Sequence, residues 1–338
     1  MKILVAIYSS FACWCIPEVE VDWLRREFPE HVFARADADA EVLSCIPDAD
    51  VVFGATVRPD QLAAARRLRW IHSPAAGIGN MLFPEMVASP ILMTNSRGNS
   101  AATIAEHVIA VTLALLRDLP LAYRRQIERA WAQDEFNAGA RIRMLRDCRV
   151  LVIGFGSIGG ETGRLAAALG ARVVGIRRSA PEHDADVAQP PSPERAEAPI
   201  TTVPPAHLHA ELRVADVVVI SAPQTAKTLH MIGASELALM KEGAVLVNVS
   251  RGKLIDEAAL VRALQTGRLR GAALDVFEHE PLPADSPLWS RRDVLITPHV
   301  SGFQAHHWPD AAKLFADNLR RFVAGEPLVN VVDKQAGY

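Results

Sequence analysis

Apolar residues recur along this chain with two spacings. Short runs at Ile3–Tyr8, Asp50–Phe53, Arg69–His72 and Ile91–Thr94 are dense in Val, Ile and Leu, as expected of strands buried on both faces. Between them, Glu18–Phe28 and Pro59–Arg67 space their apolar residues as helices do. This alternation predicts a parallel sheet in the first hundred residues. Ala101–Arg117 is apolar on nearly every side, which predicts a helix buried at a domain junction or a subunit contact.

A second alternation begins after Asp147, with strand-like runs at Arg149–Ile153, Arg172–Ile176, Asp216–Ile220, Ala244–Val249, Gly271–Val276 and Val294–Thr297. Helical patterns such as Gly159–Leu169 and Asp256–Gln265 lie between them, the latter closed by Gly267. Six strands with crossover helices predict a doubly wound nucleotide-binding domain. The last helix, Asp310–Ala324 with Gly325 as its stop, has no strand of its own and is expected to rejoin the first domain. The expected division is 1–99 plus 303–338 for one domain and 100–302 for the other. Pro181–Pro205 holds seven of the 22 prolines without periodicity and reads as an exposed loop.

Composition narrows the function classes. A chain of 338 residues suggests two domains. Its 36 basic and 39 acidic residues leave a net charge of −3 and give no electrostatic reason to expect a nucleic-acid partner. No apolar run reaches the roughly 18 residues of a membrane span, and the opening Met1–Tyr8 reads as a strand rather than a signal peptide. Cys13, Cys15, Cys45 and Cys148 are too scattered for a disulfide framework, and Cys13-x-Cys15 lacks the second pair of a zinc site. A reduced, cytoplasmic protein without a metal is the simplest reading. Only six basic residues are lysine, so the six Arg-Arg pairs are mostly background.

Candidate chemistry begins at Gly154-Phe-Gly156-Ser157-Ile158-Gly159, a G-x-G-x-x-G between a strand and a helix. Gly154 permits the tight turn, Gly156 lets backbone approach a pyrophosphate, and Gly159 lets helix and strand pack closely. Where an NAD-binding fold carries an acid at the end of the next strand, this chain has Arg177-Arg178-Ser179. A guanidinium and a hydroxyl suit a 2′-phosphate. The cofactor expected is NADP(H) in preference to NAD(H), with NAD(H) retained as a possible second cofactor.

Parallel sheets bind ligands outside the carboxyl ends of their strands. Three consecutive predicted strands there are followed by Arg251, by Glu278 and Glu280, and by His299. An imidazole can protonate the alkoxide formed when a carbonyl is reduced, a carboxylate beside it would raise its pKa, and a guanidinium can polarise the carbonyl or hold a carboxylate. Taken singly, His299 also reads as a cap or core residue and Arg251 as a surface turn. Glu278 and Glu280 are equivalent on spacing alone.

Four segments, Gly154–Gly159, Met240–Gly252, Gly271–Pro281 and Thr297–Gly302, give the chain a resemblance to the D-isomer-specific 2-hydroxyacid dehydrogenase family. The resemblance implies two doubly wound α/β domains, a flavodoxin-like substrate domain and a Rossmann NAD(P)-binding domain. It assigns Arg251 to substrate, Glu280 rather than Glu278 to the acid partner, and His299 to the proton donor. It places Val249, Ser250 and Asp275 beside the nicotinamide, Ser157 and Ile158 at the pyrophosphate, and Pro223 and Thr228 on the adenosine side.

The resemblance also implies that the loop Ser73–Ile78, through Ala75, Ala76 and Gly77, holds the carboxylate of a small 2-keto or 2-hydroxy acid. Arg177 departs from the Asp of NAD-preferring members, as in glyoxylate and hydroxypyruvate reductases, and a homodimer built on the cofactor domain is implied. The absence of a regulatory domain after residue 338 is expected to argue against large allosteric phosphoglycerate dehydrogenases. Competing readings are a shorter phosphoglycerate dehydrogenase-like enzyme, a formate dehydrogenase, whose His pairs with Gln, and a dinucleotide-sensing corepressor-like binding protein. Gly79-Asn80 departs from the family's acidic residue. Trp308 is assigned to the substrate pocket or to packing, Trp70 and Trp131 to the core, and His183, His207 and His209 to solvent.

Overall fold

The computed structural model describes residues 1–137, 142–178 and 200–337. It divides into two compact units, Met1–Asn99 with Gln304–Tyr338 and Ser100–Phe303.

The first unit contains β1 (Lys2–Ala6), α1 (Glu18–Glu27), β2 (Val32–Arg35), α2 (Asp39–Cys45), β3 (Val51–Gly54), α3 (Pro59–Ala64), β4 (Trp70–Ser73), α4 (Pro84–Ala88) and β5 (Leu92–Asn95). The strands form one parallel sheet in the order β2-β1-β3-β4-β5, the flavodoxin-like order. Successive residues serve opposite faces, so Leu4, Val52, Ile71 and Met93 belong to one core and Ile3, Val5, Val51, Phe53 and Trp70 to the other. The C-terminal helix His307–Ala324 covers the second face, where Phe315 stacks on Phe53 at 4.4 Å and on Trp70 at 5.3 Å. Gly325 ends that helix in the left-handed conformation, as a glycine stop does.

β2, α2 and α4 lie outside the elements expected from the sequence. β2 is a four-residue edge strand with an exposed Val32, too short for its periodicity to stand out.

The second unit runs α5 (Ala101–Leu116), α6 (Leu119–Ile127), α7 (Gln133–Asn137), β6 (Arg149–Ile153), α8 (Ser157–Ala168), β7 (Arg172–Ile176), β8 (Ile200–Val203), α9 (Leu208–Leu212), β9 (Val217–Ile220), α10 (Ala234–Leu239), β10 (Ala244–Asn248), α11 (Glu257–Gln265), β11 (Leu269–Leu274) and β12 (Val294–Ile296). Its parallel sheet has seven strands in the order β12-β11-β10-β9-β6-β7-β8. The run β8-β7-β6-β9-β10-β11 is the dinucleotide-binding order and β12 continues it, so the sheet has one strand more than the six expected from the sequence.

The extra strand is β8, inside the Pro181–Pro205 segment read as loop; the rest of that segment up to residue 199, His183 included, lies outside the described residues. Its half-exposed Ile-Thr-Thr-Val sequence, between prolines, acquires strand character only by pairing with β7. α5 packs through Val108, Leu115 and Leu116 into the core under α8 and the sheet, while Ala102, Glu106 and Ala110 stay exposed.

Trp131, assigned to the core, is 92% exposed. It follows the end of α6 and lies past Arg129, whose φ of 56° turns the chain away from the face packed through Leu121. Trp70 is fully buried, as expected. All four cysteines are free. Among the described residues no helix is long and apolar enough to cross a membrane.

Candidate active site

The glycine loop joins β6 to α8. Gly154 has φ 96°, and a Cβ there would stand 2.4 Å from the backbone of Ala222, so only glycine fits this turn. The amides of Gly154 and Phe155 donate to the Ile176 carbonyl at 3.1 and 2.9 Å, and Ser221 Oγ donates to the Gly154 carbonyl at 2.8 Å. A Cβ on Gly156 would meet nothing within 4 Å. α8 starts at Ser157 with no side chain capping it. Ser157 and Ile158 therefore sit in a first turn whose N–H groups are available to an anion. Open space at Gly156 together with this uncapped terminus fits a dinucleotide's pyrophosphate.

The same Ile176 carbonyl ties the loop to the end of β7, so Arg177 follows directly. Arg177 is half-buried and donates its N–H to the Val203 carbonyl at 3.0 Å, while Arg178 is exposed. Ser179 lies outside the described residues. After β9, Thr228 Oγ1 donates to the Pro223 carbonyl and accepts from Thr225 N, both at 2.8 Å, which closes that turn on itself.

Arg251 is placed by a buried asparagine. Asn248, the last residue of β10, accepts from Ser250 N at 3.1 Å and donates to the Arg251 carbonyl at 3.0 Å. Ser250 Oγ donates to the Ala222 carbonyl, and Val249 is buried beneath. Gly252 permits the next step, because a Cβ there would lie 1.8 Å from the Phe277 carbonyl carbon. The Arg251 turn is thereby pressed against the end of β11. Nη1 of Arg251 donates to the Ser250 carbonyl at 2.7 Å. Burial pulls its guanidinium below its ordinary pKa, and the negative charge of Glu280 opposes that.

Glu280 and His299 meet directly, with Oε2 to Nδ1 at 2.7 Å, while Glu280 Oε1 accepts from Phe277 N at 3.0 Å. Burial pushes the Glu280 carboxyl up, but the hydrogen bonds from His299 and Phe277 and the charge of Arg251 outweigh it, and its pKa lies below the usual carboxylate value. Glu278 is used elsewhere: its Oε1 accepts from Glu257 N at 3.1 Å, at the start of α11, and lies 3.1 Å from His230 Nε2. Geometry thus separates two acids that spacing could not.

Asp275 organises the histidine's backbone. Its carboxylate accepts from Thr297 Oγ1 at 2.6 Å, Val300 N at 2.9 Å and Ser301 N at 3.0 Å, and its carbonyl accepts from His299 N at 2.8 Å. His299 is held at φ 54°, a conformation rare outside glycine. His107 Nε2 lies 3.4 Å from Thr297 Oγ1. Since the Thr297 proton goes to Asp275, His107 is the donor in that contact.

Ala75, Ala76 and Gly77 follow β4 in the first unit and are exposed. Trp308 is half-buried and packs on the first unit's core, and His307 meets Trp14 edge-on at 5.9 Å. His209 pairs with Glu236 at 3.0 Å, and His207 is exposed. Among the described residues no group of three His, Cys, Asp or Glu could hold a metal ion. Asn248 and Thr297 escaped sequence reading, although each closes a buried strand or sits just past one, where a polar residue needs a purpose.

A family profile described as the D-isomer specific 2-hydroxyacid dehydrogenase NAD-binding domain matches residues 109–301. The chain is 32% identical to a glyoxylate reductase of Korarchaeum cryptofilum over 87% of its own length and 86% of that protein. It therefore belongs to the D-isomer-specific 2-hydroxyacid dehydrogenase family.

It is also 32% identical to the D-3-phosphoglycerate dehydrogenase of Methanocaldococcus jannaschii over 87% of this chain but 53% of that one. The chain spans about half the length of such curated relatives. Its fold matches a solved NADPH-dependent glyoxylate/hydroxypyruvate reductase of Sinorhizobium meliloti in complex with NADP, at TM-score 0.82, 25% identity and coverage of 100% and 99%. It also matches a D-isomer specific 2-hydroxyacid dehydrogenase of Xanthobacter autotrophicus in complex with NADPH, at TM-score 0.80, 28% identity and the same coverage.

Proposed function

We propose that this protein reduces a small 2-keto acid, of the glyoxylate or hydroxypyruvate kind, to the D-2-hydroxy acid at the expense of NADPH. The carrying observation is the Glu280–His299 pair beside a half-buried Arg251, on the sheet edge that also bears the glycine loop. NADPH, when bound, supplies a hydride to the carbonyl carbon. Arg251 polarises the carbonyl or holds the carboxylate, and His299 gives the new alkoxide its proton while Glu280 stabilises the imidazolium and fixes its tautomer. With Nδ1–H engaged by Glu280, the proton delivered is the one on Nε2. The loop of Ala75, Ala76 and Gly77 binds the carboxylate, through the N–H groups of Ala76 and Gly77, since that of Ala75 is donated to Ser73 Oγ.

Gly154, Gly156, Ser157, Ile158 and Gly159 cradle the pyrophosphate in this reading. Pro223 and Thr228 line the adenosine side, and Val249, Ser250 and Asp275 adjoin the nicotinamide. Arg177 and Arg178, with Ser179, favour NADPH through the 2′-phosphate, and the NADPH and NADP complexes of the two solved relatives support that preference. A homodimer is supported by the exposed apolar residues Leu119, Tyr123 and Ile127 along α6 and by the exposed Trp131 beyond its end, and a reduced cytoplasmic compartment by the free cysteines.

Purified protein assayed against a panel of 2-keto acids, 3-phosphohydroxypyruvate included, with NADPH and NADH separately, tests the proposal. The expected result is the highest kcat/KM for a small, unphosphorylated keto acid with NADPH. Preference for 3-phosphohydroxypyruvate with NADH would install the phosphoglycerate dehydrogenase reading instead. Nucleotide-dependent protein association without any turnover would favour a binding protein.

A further inference from the structure

The loop after β4 has an unusual hydrogen-bond inventory. The Ala75 N–H donates to Ser73 Oγ at 3.2 Å, and the Ala75 carbonyl accepts from Ser96 N at 3.3 Å. The Ala76 carbonyl accepts from Asn95 Nδ2 at 2.8 Å. Asn95 cannot turn its amide over, because its Oδ1 simultaneously accepts from Arg97 N at 3.2 Å.

The peptides after Ala75 and Ala76 are trans, so each N–H points opposite to its carbonyl. With both carbonyls drawn toward the end of β5, the N–H groups of Ala76 and Gly77 both point away from it, on an exposed segment. Two successive backbone N–H groups aimed the same way form a concavity suited to an anion.

From this geometry we propose that Asn95 is the positioning residue of the carboxylate site: it fixes the peptide plane that presents Gly77 N–H, and Ser96 does the same for Ala76 N–H. The inference rests on the reading of Ala75–Gly77 as the carboxylate-binding loop. Asn95 is 2% exposed and is held from the other side, where its N–H donates to the Asn330 carbonyl at 3.2 Å and Asn330 Nδ2 donates to the Arg97 carbonyl at 2.8 Å.

Beneath it, Trp70 Nε1 donates to Thr94 Oγ1 at 2.9 Å, so the Thr94 proton goes to His72 Nδ1 at 2.7 Å. Ser96 Oγ donates to the Ser73 carbonyl at 3.0 Å and receives the His72 Nε2 proton at 3.4 Å. A neutral, fully buried network therefore ends in the residues that orient the loop.

The test uses the full-length protein with saturating NADPH and oxalate as the carboxylate probe. Asn95→Asp keeps the volume and the acceptor for Arg97 but turns an oxygen on the Ala76 carbonyl; Asn95→Ala removes the hold altogether. Both should raise the inhibition constant of oxalate about tenfold or more, the scale of one hydrogen bond to a charged group. Both should raise KM for the keto acid in parallel, with kcat within about threefold and the NADPH dissociation constant unchanged. A merely structural role would instead lower kcat, cofactor affinity and Tm together.

Gly77→Pro, which deletes one presented N–H, separates the two claims. If Gly77→Pro weakens oxalate binding while both Asn95 variants bind it within twofold of the parent, the positioning role is overturned and the loop reading stands. If Gly77→Pro also leaves oxalate binding unchanged, with its fold verified by NADPH binding, the loop reading falls and takes the proposal with it. Should Asn95→Ala fail to fold, Asn95→Asp carries the test.

Discussion

The two sheets present polar groups at their carboxyl-end edges in opposite ways. In the second unit the edge carries ionisable side chains, Arg251, Glu280 and His299, the last two about one third and two fifths exposed. In the first unit the edge is built from neutral polar groups, His72, Thr94, Asn95 and Ser96, all almost fully buried, and what reaches the surface is backbone. Both use the same device, an asparagine closing a buried strand. Asn248 bonds Ser250 N and the Arg251 carbonyl, and Asn95 bonds Arg97 N and the Ala76 carbonyl. A buried amide with both ends satisfied makes its loop the cheapest conformation, because releasing either end strands a polar group at about 1–3 kcal/mol. One asparagine holds the turn that carries a cation, the other the peptide that presents an N–H group.

The comparison can be broken at four points. Replacing His299 by Ala removes the proposed proton donor and should cost on the order of 10²–10⁴ in kcat, measured in single-turnover reduction so that product release does not mask it. A near-parental rate there would move the chemistry off this edge. Next, Gly252→Ala forces a methyl group into the Phe277 backbone. Overpacking of this kind costs roughly 1–3 kcal/mol, and since the strain falls beside Arg251, KM for the keto acid should rise along with the loss in denaturation midpoint. An unchanged midpoint would mean that the close approach is dispensable.

Arg177→Asp exchanges a guanidinium for a charge that repels a 2′-phosphate, and the NADPH-to-NADH ratio of kcat/KM should fall about tenfold or more. No change in that ratio would exclude Arg177 from cofactor choice. The fourth point lies in the first unit and leaves behaviour at neutral pH unchanged. Burial pushes His72 down to about 3, against about 6.5 for an unfolded histidine. The unfolded chain therefore binds the extra proton between those values, so the His72 contribution is complete above pH 6.5 and is lost as pH falls toward 3. His72→Gln should flatten this part of the stability profile in urea unfolding at successive pH values; an unaltered slope would show that His72 is not the group responsible.

How much of this was legible depended on where the signal resides. Buried parallel strands such as Val150–Ile153 and Ala244–Asn248 announce themselves by continuous apolar runs, and the glycine loop by spacing that only one backbone geometry requires. The edge strands β2 and β8 do not, since only one of their eight residues is buried and their identity comes from the neighbour they pair with. Trp131 misled because a large aromatic residue is usually buried, whereas here the chain turns away before it. Arg251, Glu280 and His299 could be found because each follows a strand. The choice between Glu278 and Glu280 could not be made from spacing, because two residues apart in one loop can face either way.

What the sequence determined alone is the class of fold, the glycine turn and the set of ionisable groups at one sheet edge, because these follow from local periodicity and from residues whose conformational demands are local. Tertiary structure decided what spacing left open, that Glu280 meets His299 and that Glu278 caps a helix instead. It also decided that Asn248 and Asn95 aim their loops, and that a short segment among prolines becomes a strand. Each of these turns on partners brought together from distant parts of the chain, such as Asn95 with Ala76 and Asn330, and on burial that makes every unsatisfied polar group costly.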